Sequence, residues 1–170
     1  MKLIIIKIKV GEKMKVIQYD VELNDENLPY LVREREFRSR YISCNSPEKI
    51  VSLLNSDKYR LNKKAEEKVY ILGTNCKYTH ANIFELSKGN SNTSICNPFG
   101  IYQRLLLSNS TVFAMIHNHP SGDLKPSQED IRTSKKLKEL AKTMGIIFAD
   151  SIIIGKENNY CSLTECGCLD

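Results

Sequence analysis

Apolar and polar positions recur with regular spacing along most of the chain, and the spacing predicts interleaved strands and helices. Ile4, Ile6, Ile8 and Val10 alternate with Lys7 and Lys9, the period-two signature of a half-buried strand. The first 45 residues read as two strands around a polar connection, Asp25-Glu26-Asn27 followed by Pro29. Ser46-Pro47-Glu48 is a helix entry, with a capping hydroxyl and a proline in the first turn, and Ile50, Val51, Leu53 and Leu54 supply the apolar face. Residues 68–72 form a β-rich run ended by Gly73, and a second run over 82–88 is closed by Gly89-Asn90. Pro98 opens a helix carrying Ile101, Leu105 and Leu106, and residues 111–117 are strand again. Over 127–144 the period is helical (Ile131, Leu137, Leu140, Ala141, Met144), with Gly145 as its stop. Residues 146–154 and 160–163 predict two more strands. Alternating strands and helices define an α/β (mixed α+β) class with a mixed sheet. The expected organisation is a β-rich extension over 1–45 packed on a main domain over 46–165, then a tail over 166–170.

Composition narrows the class. Of 170 residues, 41% are hydrophobic, enough for a sizeable core and too many for intrinsic disorder. Eight glycines and five prolines exclude collagen-like and low-complexity chains. Lys7 interrupts the opening apolar stretch after four residues, short of a signal peptide's core, so a cytoplasmic protein is expected. The six cysteines lack the spacing of a disulfide framework and are expected to stay thiols. Cys161-x4-Cys166-x-Cys168 has metal-binding residue types but no second pair nearby to complete four ligands, and reads as incidental thiols at a fraying end.

Charge changes the picture little. Twenty-five basic against twenty acidic side chains leave +5. The densest basic stretch is Lys58, Arg60, Lys63 and Lys64, just before Glu66-Glu67, while Arg33, Arg35, Arg38 and Arg40 are interleaved with Glu34 and Glu36. Phosphate binding needs clustered, unneutralised cations. These stretches predict a solvated surface or, at most, a weak DNA contact. No helix-turn-helix, zinc finger or aromatic RNA-binding strand is visible.

Chemistry concentrates in residues 116–130, Ile-His-Asn-His-Pro-Ser-Gly-Asp-Leu-Lys-Pro-Ser-Gln-Glu-Asp. His117 and His119, two of the three histidines, lie two apart at a strand end. Side chains at i and i+2 share a face, with Cα atoms roughly 6.6 Å apart, from which two imidazoles can converge on one ion. Ser127 reads as the cap of the next helix and puts Asp130 in its first turn, within reach of the same ion. Two imidazoles and a carboxylate are a catalytic-zinc ligand set with a fourth position left for water. In the competing reading, Ser127 is only a cap and Asp130 only complements the positive helix end. His80, in a polar loop, reads as surface.

His117-x-His119-Pro-Ser-Gly, the seven residues between His119 and Ser127, and Ser127-x2-Asp130 resemble the JAMM (MPN+) metalloprotease motif. More narrowly, residues 47–163 resemble the RadC family, including Gly89 with its following Asn and Ser residues and the stretches through Gly145-Ile146 and Asp150–Gly155. The resemblance implies a JAMM/cytidine-deaminase-like three-layer arrangement, with a mixed sheet flanked by helices. It implies zinc held by His117, His119 and Asp130, with Ser127 bonding near the water or the developing oxyanion. It also implies an upstream Glu as general acid/base. Glu66 and Glu67 are the candidates, with Glu85 a more distant one, and an ungapped count back from His117 selects Glu67. The activity implied is hydrolysis of a peptide or isopeptide amide in a protein or peptide substrate. The alternative is a DNA-repair-associated adaptor touching DNA through Lys58, Arg60, Lys63 and Lys64.

Two positions depart from the family pattern. Asn97-Pro98-Phe99 stands where His-Pro-Arg is usual, and Asp150-Ser151 where Asp-His is usual. The first 45 residues are too strand-like to supply the helix-hairpin-helix region of longer members. N-terminal strands left exposed would offer a homo-oligomer contact.

Overall fold

Seven strands form one sheet in the order β2-β1-β4-β3-β5-β6-β7, in a computed structural model described over residues 12–86 and 96–170. The strand expected at Ile4–Val10 and the turn at Gly89-Asn90 lie outside the described residues. The strands are β1 (Lys15–Leu23), β2 (Pro29–Arg38), β3 (Val69–Thr74), β4 (His80–Leu86), β5 (Val112–Asn118), β6 (Ile147–Ile154) and β7 (Tyr160–Ser162). The sheet is mixed: β1 runs parallel to β4 and β5 parallel to β6, while the remaining neighbours are antiparallel. The helices among the described residues are α1 (Pro47–Leu54), α2 (Pro98–Leu107) and α3 (Gln128–Met144). None is long and apolar enough to cross a membrane.

The result is the mixed-sheet α/β class the hydrophobic pattern predicts, in the three-layer arrangement the family resemblance implies. On one face α1 lays Ile50, Val51, Leu53 and Leu54 against Tyr70, Leu72, Ile83, Ile116 and Ile152. On the other, α2 and α3 cover Val69, Ile71, Phe84, Phe113 and Met115 with Ile101, Leu105, Leu137 and Ala141. Because both faces are covered, β3 and β5 are buried at every position, which is why they read as unbroken apolar runs rather than alternating ones.

β1 hydrogen-bonds to β4, so the first described strands continue one sheet with the rest. One expectation changes in detail. Gly73 lies inside β3 rather than ending it, paired with both Asn82 and Phe113. A Cβ at that position would collide with the Ser110 side chain, so the glycine permits a close approach across the sheet.

Candidate metal centre

The connection from β5 to β6 builds the site. Two parallel neighbouring strands need a crossover, here α3, whose first turn must begin near the carboxyl end of β5. That topology carries Asp130 to His117. His117 pairs with Val69 across β3 and β5, so its ring lies on the face covered by α2 and α3. His119 stands just past the end of β5, where its N–H continues the pairing by donating to Ile154 O at 3.0 Å. Gly122 N–H then closes a turn on His119 O at 2.9 Å. At α3 the expected cap is present: Ser127 Oγ accepts from Asp130 N–H at 3.1 Å, and Asp130 Oδ2 accepts from Ser127 N–H at 2.8 Å. The Ser127 hydroxyl donates to the same Oδ2 at 2.6 Å.

The three side chains therefore meet. His117 Nε2 is 3.1 Å from His119 Nε2 and 3.4 Å from Asp130 Oδ1, and His119 Nε2 is 3.8 Å from Asp130 Oδ2. Among the described residues they form a group whose donor atoms all lie within 4.8 Å of one another. Ligands on a tetrahedral ion at ~2.0–2.1 Å stand about 3.3–3.4 Å apart, so the spacing fits such an ion.

The protonation states fit as well. Burial, opposed by the Asp130 carboxylate and assisted by His119, holds His117 down at about 4, neutral as a ligand must be. His119 Nδ1 faces Asp123 O at 2.7 Å. A carbonyl only accepts, so Nδ1 carries a hydrogen and Nε2 is turned to the centre, the outer hydrogen bond that orients ligand histidines. With His117 in the tautomer that leaves Nε2 without hydrogen, two imidazole lone pairs and a carboxylate are turned on one point, the arrangement a metal ligand set requires. His117 is 3% exposed in its side chain, whereas His119 and Asp130 are 18% and 16% exposed. The centre is thus closed on the sheet side and open on the loop side, where a fourth ligand or a substrate would enter.

The glutamates separate by face. Glu85 pairs with Tyr70 on the α1 side of the sheet and is bound by Lys68 Nζ and Tyr70 Oη, each at 2.8 Å, which removes it as a candidate base for this centre. Glu67 lies two positions before Val69, the residue facing His117, in a stretch that still pairs with β5 through Lys68 N–H and Asn118 Oδ1 at 2.8 Å. Glu67 and Asp130 both act on the Cys96 thiol, which burial first, then these two and Glu129, push up to about 11. Cys96 Sγ is 3.6 Å from Met115 Sδ, two residues before His117, and alternation back from Val69 puts Glu67 at that same face.

Sequence reasoning missed Cys96 as a neighbour of the centre, since no spacing relates it to His117. Of the two departures from the family pattern, Asn97 caps α2 by accepting from Phe99 N–H at 3.1 Å, and Phe99 is exposed. Ser151 is fully buried on β6 beside Met115. His80 begins β4 and is half-buried, which lowers its pKa. It stands by Thr74 at the far end of the sheet from His117.

A strand-end histidine pair facing a helix-start aspartate, on a mixed sheet covered on both sides, defines a JAB-type α/β domain. The chain belongs to that family: residues 44–168 match the RadC-like JAB domain. It is 38% identical over 137 residues to a UPF0758 protein of Clostridium botulinum (strain Alaska E43 / Type E3), covering 79% of this chain and 58% of the relative. A UPF0758 protein of Clostridium beijerinckii is 37% identical over 126 residues, 74% of this chain and 53% of its own length. One from Staphylococcus aureus (strain NCTC 8325 / PS 47) is 46% identical over 83 residues, 49% of this chain and 38% of the relative. The chain spans little more than half the length of the Clostridium relatives.

Proposed function

We propose that the chain is a zinc-dependent hydrolase of amide or isopeptide bonds, a metallopeptidase of the JAMM type acting on a protein or peptide. The observation that carries this reading is the convergence of His117 Nε2, His119 Nε2 and the Asp130 carboxylate, with the two nitrogens 3.1 Å apart and standing 3.4 Å from Oδ1 and 3.8 Å from Oδ2 respectively. Two imidazoles and one carboxylate favour zinc. Bound there, zinc supplies Lewis acidity, polarising an oxygen and bringing the pKa of water from 15.7 to about 7.

The remaining work falls to the chain's own side chains. His117 enters neutral, His119 is aimed by Asp123 O, and Asp130 is steered by Ser127. Glu67 takes a proton from the attacking water and delivers it to the leaving amine nitrogen, a role worth ~10²–10⁴-fold. Ser127 Oγ can donate to the developing negative oxygen once its hydrogen leaves Asp130 Oδ2.

Metal analysis of the chain purified without added zinc tests the reading. One zinc per chain, lost in His119→Ala, is the expected result, and absence of metal from both proteins overturns it.

A second reading, a DNA-maintenance adaptor, draws support from one observation. Lys58, Arg60, Lys63 and Lys64 are all exposed, and Arg35 joins them by donating to Lys58 O. It requires DNA affinity that falls steeply with salt. Affinity independent of salt, or absent, removes it.

A further inference from the structure

Residues 160–170 are anchored rather than frayed. After β7 the chain turns back with Cys166 N–H donating to Ser162 O at 3.1 Å and Cys168 N–H to Leu163 O at 2.9 Å. Leu169 is 5% exposed and packs in a cluster with Ile153 and Leu163. From α3, Lys138 Nζ donates to Leu169 O at 2.7 Å and Lys135 Nζ to Asp170 O at 2.8 Å. Gly167, at φ 71°, supplies the left-handed residue that lets the chain double back. The turn brings Cys166 Sγ to 2.9 Å from Cys168 Sγ. Cys161, on β7, is near enough for the Cys166 charge to act on it as well. Three of the six cysteines therefore share one corner, on the side of α3 away from α2.

We propose that Cys166 and Cys168 are a redox-active dithiol that closes into a reversible intrachain disulfide by exchange with a low-molecular-weight disulfide such as glutathione disulfide. Cys166 releases its proton to solvent, and its thiolate attacks one sulfur of the small disulfide. A mixed disulfide forms, and one small thiolate leaves and takes up a proton. Cys168 then loses its proton and attacks Cys166 Sγ, forming the Cys166–Cys168 bond and expelling the second small thiol. Two protein thiols are oxidised, and one small disulfide is reduced to two thiols.

Three features support this assignment. Bonded sulfurs stand ~2.03–2.05 Å apart, so the pair must close by only about 0.9 Å. Cys166 is exposed to a reagent, and Cys168, whose thiol the Cys166 hydrogen bond and burial raise above its ordinary value against the Lys135 charge, already lies beside the sulfur it attacks at the second step. Cys161 is the poorer nucleophile, because burial and the neighbouring Cys166 push its thiol up to about 11. The corner is no preformed metal cage, since its thiols are absent from the described groups of three donors within 4.8 Å.

The test equilibrates the full chain with mixtures of glutathione and glutathione disulfide, quenches with acid, alkylates under denaturing conditions and reads intact mass and peptide maps. The wild-type chain is expected to lose two of its six alkylatable thiols, mapped to Cys166 and Cys168, to retain no glutathione, and to regain both thiols in excess glutathione. Cys168→Ser should instead accumulate a glutathione adduct on Cys166, and Cys161→Ser should oxidise as the wild type does. A wild-type chain that holds a stable glutathione adduct, pairs Cys161, or keeps all six thiols while Cys168→Ser takes up glutathione overturns the proposal.

Discussion

Ser127 holds one oxygen of Asp130 and leaves the other for the centre: Oδ2 accepts the Ser127 N–H and hydroxyl at 2.8 and 2.6 Å, while Oδ1 faces His117 Nε2 at 3.4 Å. One residue thus caps α3 and orients a ligand. Ser127→Ala removes the hydroxyl from both tasks and leaves only the N–H on Oδ2, so it should cost about 1 kcal/mol of stability through the cap and weaken metal affinity about 10-fold, the low end for a lost outer hydrogen bond. Thermal unfolding reads the first effect and competition with a chelating zinc dye the second. Unchanged metal affinity would confine Ser127 to capping.

Glu67 is set apart from the ligands, on the metal side of the sheet but outside the group of donors around His117. A proton carrier needs that arrangement, since a carboxylate bound to the ion could not also shuttle. Glu67→Gln keeps the side chain's size and removes its basicity. It should retain the metal and lower hydrolysis by ~10²–10⁴-fold, read by metal content and by single-turnover cleavage of a peptide library. Loss of metal in this variant would make Glu67 a ligand instead.

The sequence carried a good deal of this in local form. His117 and His119 share a face because strand geometry repeats every two residues, and Asp130 follows from the cap at Ser127. Both signals span fewer than about five residues, the range over which backbone geometry alone decides direction. What escaped depends on contacts between distant segments. Gly73 looks like a strand terminator until Ser110 is packed against it. Cys96 neighbours Met115 only after α2 folds over the sheet. Residues 166–170 look like a loose tail because their anchors, Lys135 and Lys138, lie on another element.

Glu85 gives the fold a pH dependence. Burial alone raises its pKa, but hydrogen bonds from Lys68 and Tyr70 and the charges of Lys68 and Lys64 outweigh burial and hold it below the usual value. A carboxyl whose folded pKa lies below its unfolded one stabilises the fold above the unfolded pKa, and that stabilisation is lost as pH falls through the folded pKa. Wild-type stability should therefore fall on acidification below about pH 4.3, the unfolded glutamate value, and Glu85→Gln should flatten that limb while leaving metal content unchanged. Melting temperatures measured across the acid range check this, and superimposable wild-type and variant curves would refute it.

Ser151 is a local cost inside β6. Its side chain is fully buried and its Oγ has no hydrogen-bond partner among the described residues, whereas the neighbouring Asp150 carboxylate accepts from Ser151 N–H, Ser162 Oγ and Thr164 N–H. An unpaired buried polar group costs about 1–3 kcal/mol. Ser151→Ala should accordingly raise stability, moving the unfolding midpoint up by roughly 2–4 °C for each kcal/mol gained in a chain of this size. A lower midpoint would mean that the hydroxyl has a partner in solution.

Asn118, between the two histidines, turns away from the candidate centre and fastens the segment that bears Glu67. Its Oδ1 accepts from Lys68 N–H at 2.8 Å, and its Nδ2 faces Glu66 O at 3.2 Å and Lys64 O at 3.4 Å. One buried amide thus holds residues 64–68 in register with the end of β5, and the strand that presents the ligands also fixes where the glutamate stands. Asn118→Ala frees that segment and strands the Lys68 N–H, so it should cost about 1–3 kcal/mol. The histidines keep their own backbone pairing, so metal content should be retained. Turnover should fall with the metal still bound, because a base displaced by an ångström loses its reach to the water proton. Asn118→Asp, which keeps the acceptor for Lys68 N–H, should recover part of the stability. Metal lost together with activity in Asn118→Ala would show instead that the residue supports the ligands themselves.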